Sequence, residues 1–216
     1  MPERTTRSWA AAGEVALAAA GMCLFALFVH SRLPLGVLSA VGLLAAAIAL
    51  GRCILTEPAP AAILGLGPLS PKATAFGAPG AVVGLGLGLI FRGQYGWPLL
   101  PGTLTWFAFP AALIGATEEL LYRGYVQGRV RGLGMAGAVV LAAACHTAYK
   151  SALFALPPEP AGVTFWVLAT ITFLGGLGFG ALRELSGGVY SPLLAHACFD
   201  IIVYGGRTQA PWWVWS

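Results

Sequence analysis

Long apolar stretches alternate with short polar segments along the whole chain. Six of the stretches are 17 to 27 residues long and cover residues 10–29, 34–55, 103–129, 134–154, 162–182 and 189–205, and a further stretch is centred on residues 82–91. An α-helix of about 20 apolar residues is long enough to cross the hydrocarbon core of a bilayer. The pattern therefore predicts an all-α fold, a polytopic membrane helical bundle of about seven transmembrane helices.

Composition supports this prediction and narrows the partners. Hydrophobic residues make up 58% of the chain and charged residues 9%, and the mean hydropathy is +0.80, whereas about a quarter of a typical soluble domain is charged. The formal net charge of +4 is spread along the chain without a basic cluster. We therefore expect a multi-pass protein of the cell membrane whose partner is the lipid bilayer, and no nucleic acid.

The same pattern divides the chain into three parts. Residues 1–101 hold the first membrane helices and a proline-rich loop at 57–79, and residues 102–206 form a helical core that carries most of the ionisable residues within apolar stretches. Residues 207–216 are rich in tryptophan, which is typical of the membrane interface. With the N-terminus in the cytoplasm, the basic residues on the outer side are Arg32, Arg92, Lys150 and Arg207.

Two carboxylates and an arginine interrupt the fourth apolar stretch, at Glu118, Glu119 and Arg123. A charge at the centre of a bilayer costs about 2.5–3.5 kcal/mol on insertion scales, so these residues need partners. Glu119 and Arg123 are four residues apart and can pair on one helix face. Glu118 is rotated by about 100° from Glu119 around the helix axis, so it is free for a catalytic role. The alternative is a salt bridge that only holds two helices together.

Polar residues of three stretches lie at one predicted height. Glu118 lies 11 residues from Arg129, His146 lies 12 from Gly134 and His196 lies about 10 from Ser186, or roughly 15–18 Å along a helix from the same face of the membrane. Charged residues that only hold helices together would have no reason to lie at the same depth in the bilayer. The agreement predicts a single buried site near the middle of the bilayer.

The residue types at that height suggest hydrolysis. A buried glutamate beside a histidine can hold a water molecule and take its proton, which suits Glu118 with His146. His196 and Asp200 share a helix face and can bind a developing oxyanion or a metal ion. A histidine in a membrane helix also has a simpler alternative role, a hydrogen bond between helices.

Three stretches resemble the CAAX-protease and bacteriocin-processing family of intramembrane peptidases, also called the Abi family. Glu-Glu-Leu-Leu-Tyr-Arg-Gly at 118–124 looks like the first family motif, EExxxR, and His146 matches the histidine of the second. The segment 173–200 is similar to the glycine-rich helix and the Pro-x-x-x-His-x-x-x-Asn/Asp pattern that end the family domain. The resemblance covers residues 103–204.

This resemblance implies hydrolysis of a peptide bond at the membrane. In the family, the first glutamate and the second-motif histidine activate water, which assigns Glu118 and His146. By the same resemblance, Glu119 and Arg123 support the site.

The last motif of the family steadies the oxyanion, which assigns His196 and Asp200. The chain departs from the family pattern at two positions. Ala142 stands where the second motif commonly has phenylalanine, which alters packing more than chemistry. Asp200 stands where asparagine is frequent, and an ionised carboxylate cannot donate to an oxyanion, so Asp200 has to be protonated, point away or bind something positive.

We expect no cofactor, with zinc as the open alternative. A catalytic zinc ion takes three protein ligands and a water molecule. The side chains that could supply them are Glu118, His146, His196 and Asp200. Nothing in their spacing requires a metal, and ligation would remove the basicity of Glu118.

Other classes of membrane protein are less consistent with the sequence. The motifs of site-2 zinc peptidases, rhomboids and presenilin-like enzymes are missing from the sequence. The main alternative is a proton-coupled transporter or a non-catalytic bacteriocin-immunity protein, since transporters also place ionisable residues at the midplane. No inverted repeat is visible, and we favour an intramembrane endopeptidase.

The sequence does not identify the substrate. Members of the resembling family trim prenylated C-termini, act in bacteriocin processing or immunity, or, as in the small bacterial myxosortases, remove C-terminal sorting helices. The short, alanine- and glycine-rich chain suggests a bacterial inner-membrane enzyme. We expect a membrane-anchored protein or peptide as substrate, cleaved for C-terminal sorting or processing.

Overall fold

The computed structural model describes residues 2–156 and 164–208, with side chains from residue 10 onward. The predicted turn at 157–160 and nearly all of the predicted tryptophan-rich tail lie outside the described residues. Ten α-helices are described: α1 Pro2–Phe28, α2 Gly36–Thr56, α3 Pro60–Leu64, α4 Pro71–Ala75, α5 Gly77–Gln94, α6 Ala108–Glu119, α7 Gln127–Arg129, α8 Gly134–Leu153, α9 Phe165–Ser186 and α10 Tyr190–Tyr204. A π-helical turn, Leu120–Val126, joins α6 to α7, and a 3-10 turn, Arg131–Leu133, precedes α8.

The all-α prediction is confirmed, because the part of the chain that the structure describes contains helices and no strand. Five segments are long and apolar enough to cross a membrane: Ala10–Phe28, Gly36–Thr56, Pro71–Gln94, Arg131–Leu153 and Phe165–Ser186. The fourth predicted span is divided among α6, the π-turn and α7, and the seventh is α10, with 15 residues. The total of seven crossings stays a prediction.

Helices α1 and α2 form a hairpin that packs against the C-terminal half of the chain. Gly21 and Gly42 lie where α1 and α2 cross, and a Cβ atom on either residue would overlap the backbone of the other helix. The opposite side of α1 packs on α8, and buried Tyr122, Tyr125 and Tyr149 join the same apolar core. Because Tyr122 and Tyr125 belong to the π-turn, this core anchors the turn.

Glycines bring α5 into close contact with α10. A Cβ atom at Gly84 would overlap the carbonyl group of Ala195, and one at Gly88 would lie 2.9 Å from the side chain of Ile202. Close packing is the expectation for a glycine stripe in a membrane helix, and it is confirmed at these two positions. A Cβ atom at Gly86 would meet nothing within 4 Å.

The proline-rich loop contains the short helices α3 and α4 and is bonded to the C-terminal half by several hydrogen bonds, two of which hold α9 and α10. Gly65 has a left-handed backbone (φ 69°), which suits glycine, and its carbonyl accepts a hydrogen bond from the Val189 amide at 3.0 Å. The Arg183 guanidinium donates to the Ile63 carbonyl at 2.7 Å. The loop therefore holds the end of α9 and the start of α10 in place.

Candidate active site

Glu118 lies in the last turn of α6, and both of its carboxylate oxygens are held by side chains of α8. The Nε2 atom of His146 lies 3.0 Å from Glu118 Oε2, and the ammonium of Lys150 donates to Oε1 at 2.5 Å. Glu118 and His146 are buried, and the Lys150 side chain is 23% exposed. The buried carboxylate therefore has a fixed orientation.

Arg123 determines which nitrogen of His146 carries the proton. Its Nη1 atom lies 2.9 Å from Glu119 Oε1 and 2.7 Å from His146 Nδ1. A guanidinium only donates hydrogen bonds, so Nδ1 accepts and the proton of the neutral ring is on Nε2. His146 therefore donates to Glu118, and Arg123 blocks the position at which the ring would take a second proton.

His196 has the opposite arrangement. Its Nδ1 atom lies 2.8 Å from Glu119 Oε1, which is already paired with Arg123, so the histidine donates there. In the neutral ring, Nε2 then presents a lone pair. Glu118 Oε2 and Asp200 Oδ2 each lie 3.9 Å from this atom, beyond hydrogen-bond distance, and all three residues line the same cavity.

Small residues and aromatic rings bring these groups together. A Cβ atom at Gly115 would overlap Asp200 Oδ2 and lie 2.8 Å from His196 Cδ2, so the glycine lets α10 approach α6. Tyr122 stacks on His146, with ring centroids 4.5 Å apart and planes 17° apart. The π-turn carries Tyr122 and Arg123. Such turns are rare in proteins overall, and those that occur are frequently found at functional sites.

Two cavities meet at Glu118. The first, of about 100 Å³, is lined by the polar cluster, by apolar residues such as Phe199 and by the glycines of α9. The second, of about 390 Å³, lies between the N-terminal hairpin and the π-turn, and its lining is apolar apart from Thr117 and Glu118. One carboxylate thus borders both the cavity of the polar cluster and a second, apolar cavity.

The six residues singled out in the sequence form one cluster. The pairing of Glu119 with Arg123 is confirmed, and so is the common height of the polar groups of three helices. Their catalytic roles stay predictions. The sequence reasoning missed Lys150, which it placed among the basic residues of the outer side. The signal was its position four residues after His146, on the same face of α8.

The two histidines differ in their suitability for a metal ion. A metal-binding histidine usually donates its other N–H to a carboxylate or carbonyl group, as His196 does to Glu119. His146 instead accepts from Arg123, so binding a metal through Nε2 would leave the ring without a proton on either nitrogen. Among residues 10–156 and 164–208, no three His, Cys, Asp or Glu side chains are grouped to hold a metal ion. The expectation that the protein needs no cofactor stays a prediction.

Comparison with known proteins agrees with the motif reading. The family model for "Type II CAAX prenyl endopeptidase Rce1-like" matches residues 100–202. No curated protein and no solved structure matches the chain. The matched family is a protease family, and the apolar helices are those of a multi-pass membrane protein. Residues 100–202, which include every residue of the polar cluster, therefore match the Rce1-like family model within the CAAX-protease and bacteriocin-processing peptidases.

Proposed function

We propose that this protein is an intramembrane endopeptidase in which Glu118 is the general base. The observation that carries the proposal is the Glu118 carboxylate, held by His146 and Lys150 at the wall of a buried cavity. A structural salt bridge would not require both carboxylate oxygens to be fixed at a cavity wall. A general base needs such an orientation toward a water molecule.

The reaction follows from these positions. A water molecule on Glu118 Oε2 attacks the substrate carbonyl carbon while Glu118 takes one of its protons. The tetrahedral intermediate collapses as Glu118 returns that proton to the amide nitrogen, the C–N bond breaks, and an acid and an amine leave. His146 orients Glu118 by donating to it, and the contact with Arg123 prevents the ring from acting as the base.

His196 and Asp200 lie on the α10 side of the cavity, next to the expected position of the substrate carbonyl. The resemblance gives them the oxyanion role. Neutral His196 and ionised Asp200 both present acceptors to the cavity. The pair can therefore donate a hydrogen bond to an oxyanion only when it holds one additional proton.

The substrate that we propose is a membrane-anchored protein or peptide, cleaved in C-terminal sorting or processing. The apolar cavity beside Glu118, with Met22, Leu50 and Leu121 in its wall, supports an apolar segment of the substrate lying in the bilayer. The family description names prenyl CAAX substrates. The alanine- and glycine-rich composition supports a bacterial inner membrane as its location and a sorting enzyme similar to the myxosortases.

The experiment uses the full chain purified into lipid nanodiscs and three peptides. They are a farnesylated peptide ending in Cys-aliphatic-aliphatic-X, the same peptide without the farnesyl group, and a peptide with a C-terminal apolar helix. We expect mass spectrometry to detect cleavage of at least one peptide by the wild type and none by a folded Glu118→Gln variant. Absence of product from all three, or equal rates for the two proteins, would refute the proposed function.

A further inference from the structure

We propose that Arg123 is a further catalytic residue, whose unpaired N–H groups donate to the oxyanion of the tetrahedral intermediate. The inference rests on the proposed function and gives Arg123 a direct contact with the reacting atoms. The motif resemblance gives it only a supporting role beside Glu119.

The hydrogen-bond partners of Arg123 are unevenly distributed. Nη1 contacts both Glu119 and His146, which uses its two hydrogens. Nε and Nη2 have no hydrogen-bond partner among the described residues, although the side chain is 0% exposed. Leaving a buried donor unpaired costs about 1–3 kcal/mol, more for a charged group, so such an atom needs an explanation. A substrate oxygen would supply the missing acceptor.

Arg123 lies at the catalytic cavity. It lines this cavity together with Gly175 and Gly176. A Cβ atom at Gly176 would lie 2.9 Å from Arg123 Nη2, so the unpaired nitrogen lies against an α9 glycine that lines the cavity. Phe179 lies against the guanidinium carbon, with its ring centroid 5.7 Å away, and holds the group in position.

The other donors around the cavity are less suitable. His146 already donates its Nε2 proton to Glu118, and the His196–Asp200 pair needs an added proton. The Lys150 ammonium has further hydrogens that could donate. It is partly exposed, so water can solvate it, and it is already paired with the Glu118 carboxylate. A buried guanidinium fixed by three contacts is preorganised, which is the property that makes an oxyanion donor effective.

The chemical step stays balanced with this assignment. When water adds to the carbonyl carbon, the C=O electron pair moves to oxygen, and Nη2–H and Nε–H donate to the resulting charge. Arginine keeps its protons throughout. When the C–N bond breaks, the charge returns to the carbonyl group and the hydrogen bonds weaken, so the contact favours the transition state over the bound substrate.

The first test is the Arg123→Lys variant, assayed on the panel peptide that the wild type cleaves. Lysine keeps the charge for Glu119 and His146 but lacks the Nε and Nη2 edge. We expect kcat to fall by about 10²–10³-fold, the usual effect of removing an oxyanion donor, with KM within about threefold. Arg183→Lys, which alters another buried arginine away from the cavity, is the control and should keep wild-type kinetics.

A kcat within about tenfold of the wild type in a folded Arg123→Lys protein would overturn the proposal. A structure of the wild type with a phosphinic analogue of the same peptide decides the case in which the variant does not fold. We expect an analogue oxygen within about 3.2 Å of Arg123 Nη2 or Nε, and an oxygen bound only by Lys150 or His196 would refute the role. Failure of the proposed function is distinguishable, because it would appear in the wild-type and Glu118→Gln assays.

Discussion

Arg123 and Arg129 lie six residues apart on consecutive helical turns and are bonded very differently. Arg129 donates from Nε and Nη2 to Glu14 Oε2, at 2.9 and 2.7 Å, and from Nη1 to Glu57. Each of its nitrogens therefore has a carboxylate partner. Arg123 has acceptors at one nitrogen only. A fully paired arginine connects helices, whereas a partly paired one at a cavity wall retains capacity to bind a ligand.

The surroundings of the two residues follow the same division. The Arg129 cluster joins α7 to the N-terminal hairpin, because Glu14 belongs to α1 and Glu57 follows α2; Arg52 of α2 adds a contact to Glu14 at 3.3 Å. The Arg123 cluster joins α6, α8 and α10 around the catalytic cavity. The first cluster should therefore control stability and the second turnover.

The largest expected effect is at Glu118. Replacement by glutamine keeps the size of the side chain and removes its basicity, so kcat should fall by about 10³-fold or more. Steady-state cleavage in nanodiscs measures the effect. Glu57→Gln, which alters the Arg129 cluster, is the matched control and should keep its kcat. Normal turnover by Glu118→Gln would place the base elsewhere.

The next effect is at Lys150. Lys150→Met removes the ammonium that holds Glu118 Oε1, a charged hydrogen bond worth about 1.5–3 kcal/mol, which corresponds to a loss of roughly 10–100-fold in kcat/KM. Lys72→Met, in the exposed part of α4, is the control with the same change of charge. Unchanged kinetics for the Lys150 variant would show that His146 alone orients the carboxylate.

The Arg129 cluster should respond in stability and not in catalysis. Arg129→Met should lower the free energy of unfolding by about 2 kcal/mol, less than a fully buried pair loses, because Arg52 still contacts Glu14. Turnover per folded molecule should stay within about threefold. Denaturant titration in detergent and active-site counting measure the two quantities. A kinetic defect without a loss of stability would contradict the division between the two clusters.

Exhaustive chelation should have the smallest effect. His146 is turned toward Arg123 in a way that does not suit a metal ligand, so we expect full activity after treatment with a chelator. Elemental analysis of the same sample provides the comparison. Stoichiometric zinc, with activity lost on chelation and restored by zinc, would reverse this expectation and assign a ligand role to Glu118 or His146.

The sequence was sufficient for the helices and for most of the polar cluster, because apolar length and residue spacing are local properties. It predicted the Glu119–Arg123 pair and the common height of the histidines. It did not predict Lys150 at Glu118, since a basic residue near a helix end looks like one that reaches the membrane surface. The unpaired edge of Arg123 was also beyond the sequence, because it depends on where α8 and α9 pack.

The π-turn Leu120–Val126 sets the angular phase between the two arginine clusters. A π-turn accommodates one residue more than an α-helical turn, and each residue of an α-helix advances by about 100°. Deleting one residue of the turn and restoring regular helix would leave Arg129 facing Glu14 and Glu57, because the residue removed is the extra one that the turn accommodates. Converting the turn to regular helix without a deletion would instead rotate Arg129 by about 100° away from both carboxylates. The length of the turn therefore fixes the direction in which Arg129 points relative to Glu119.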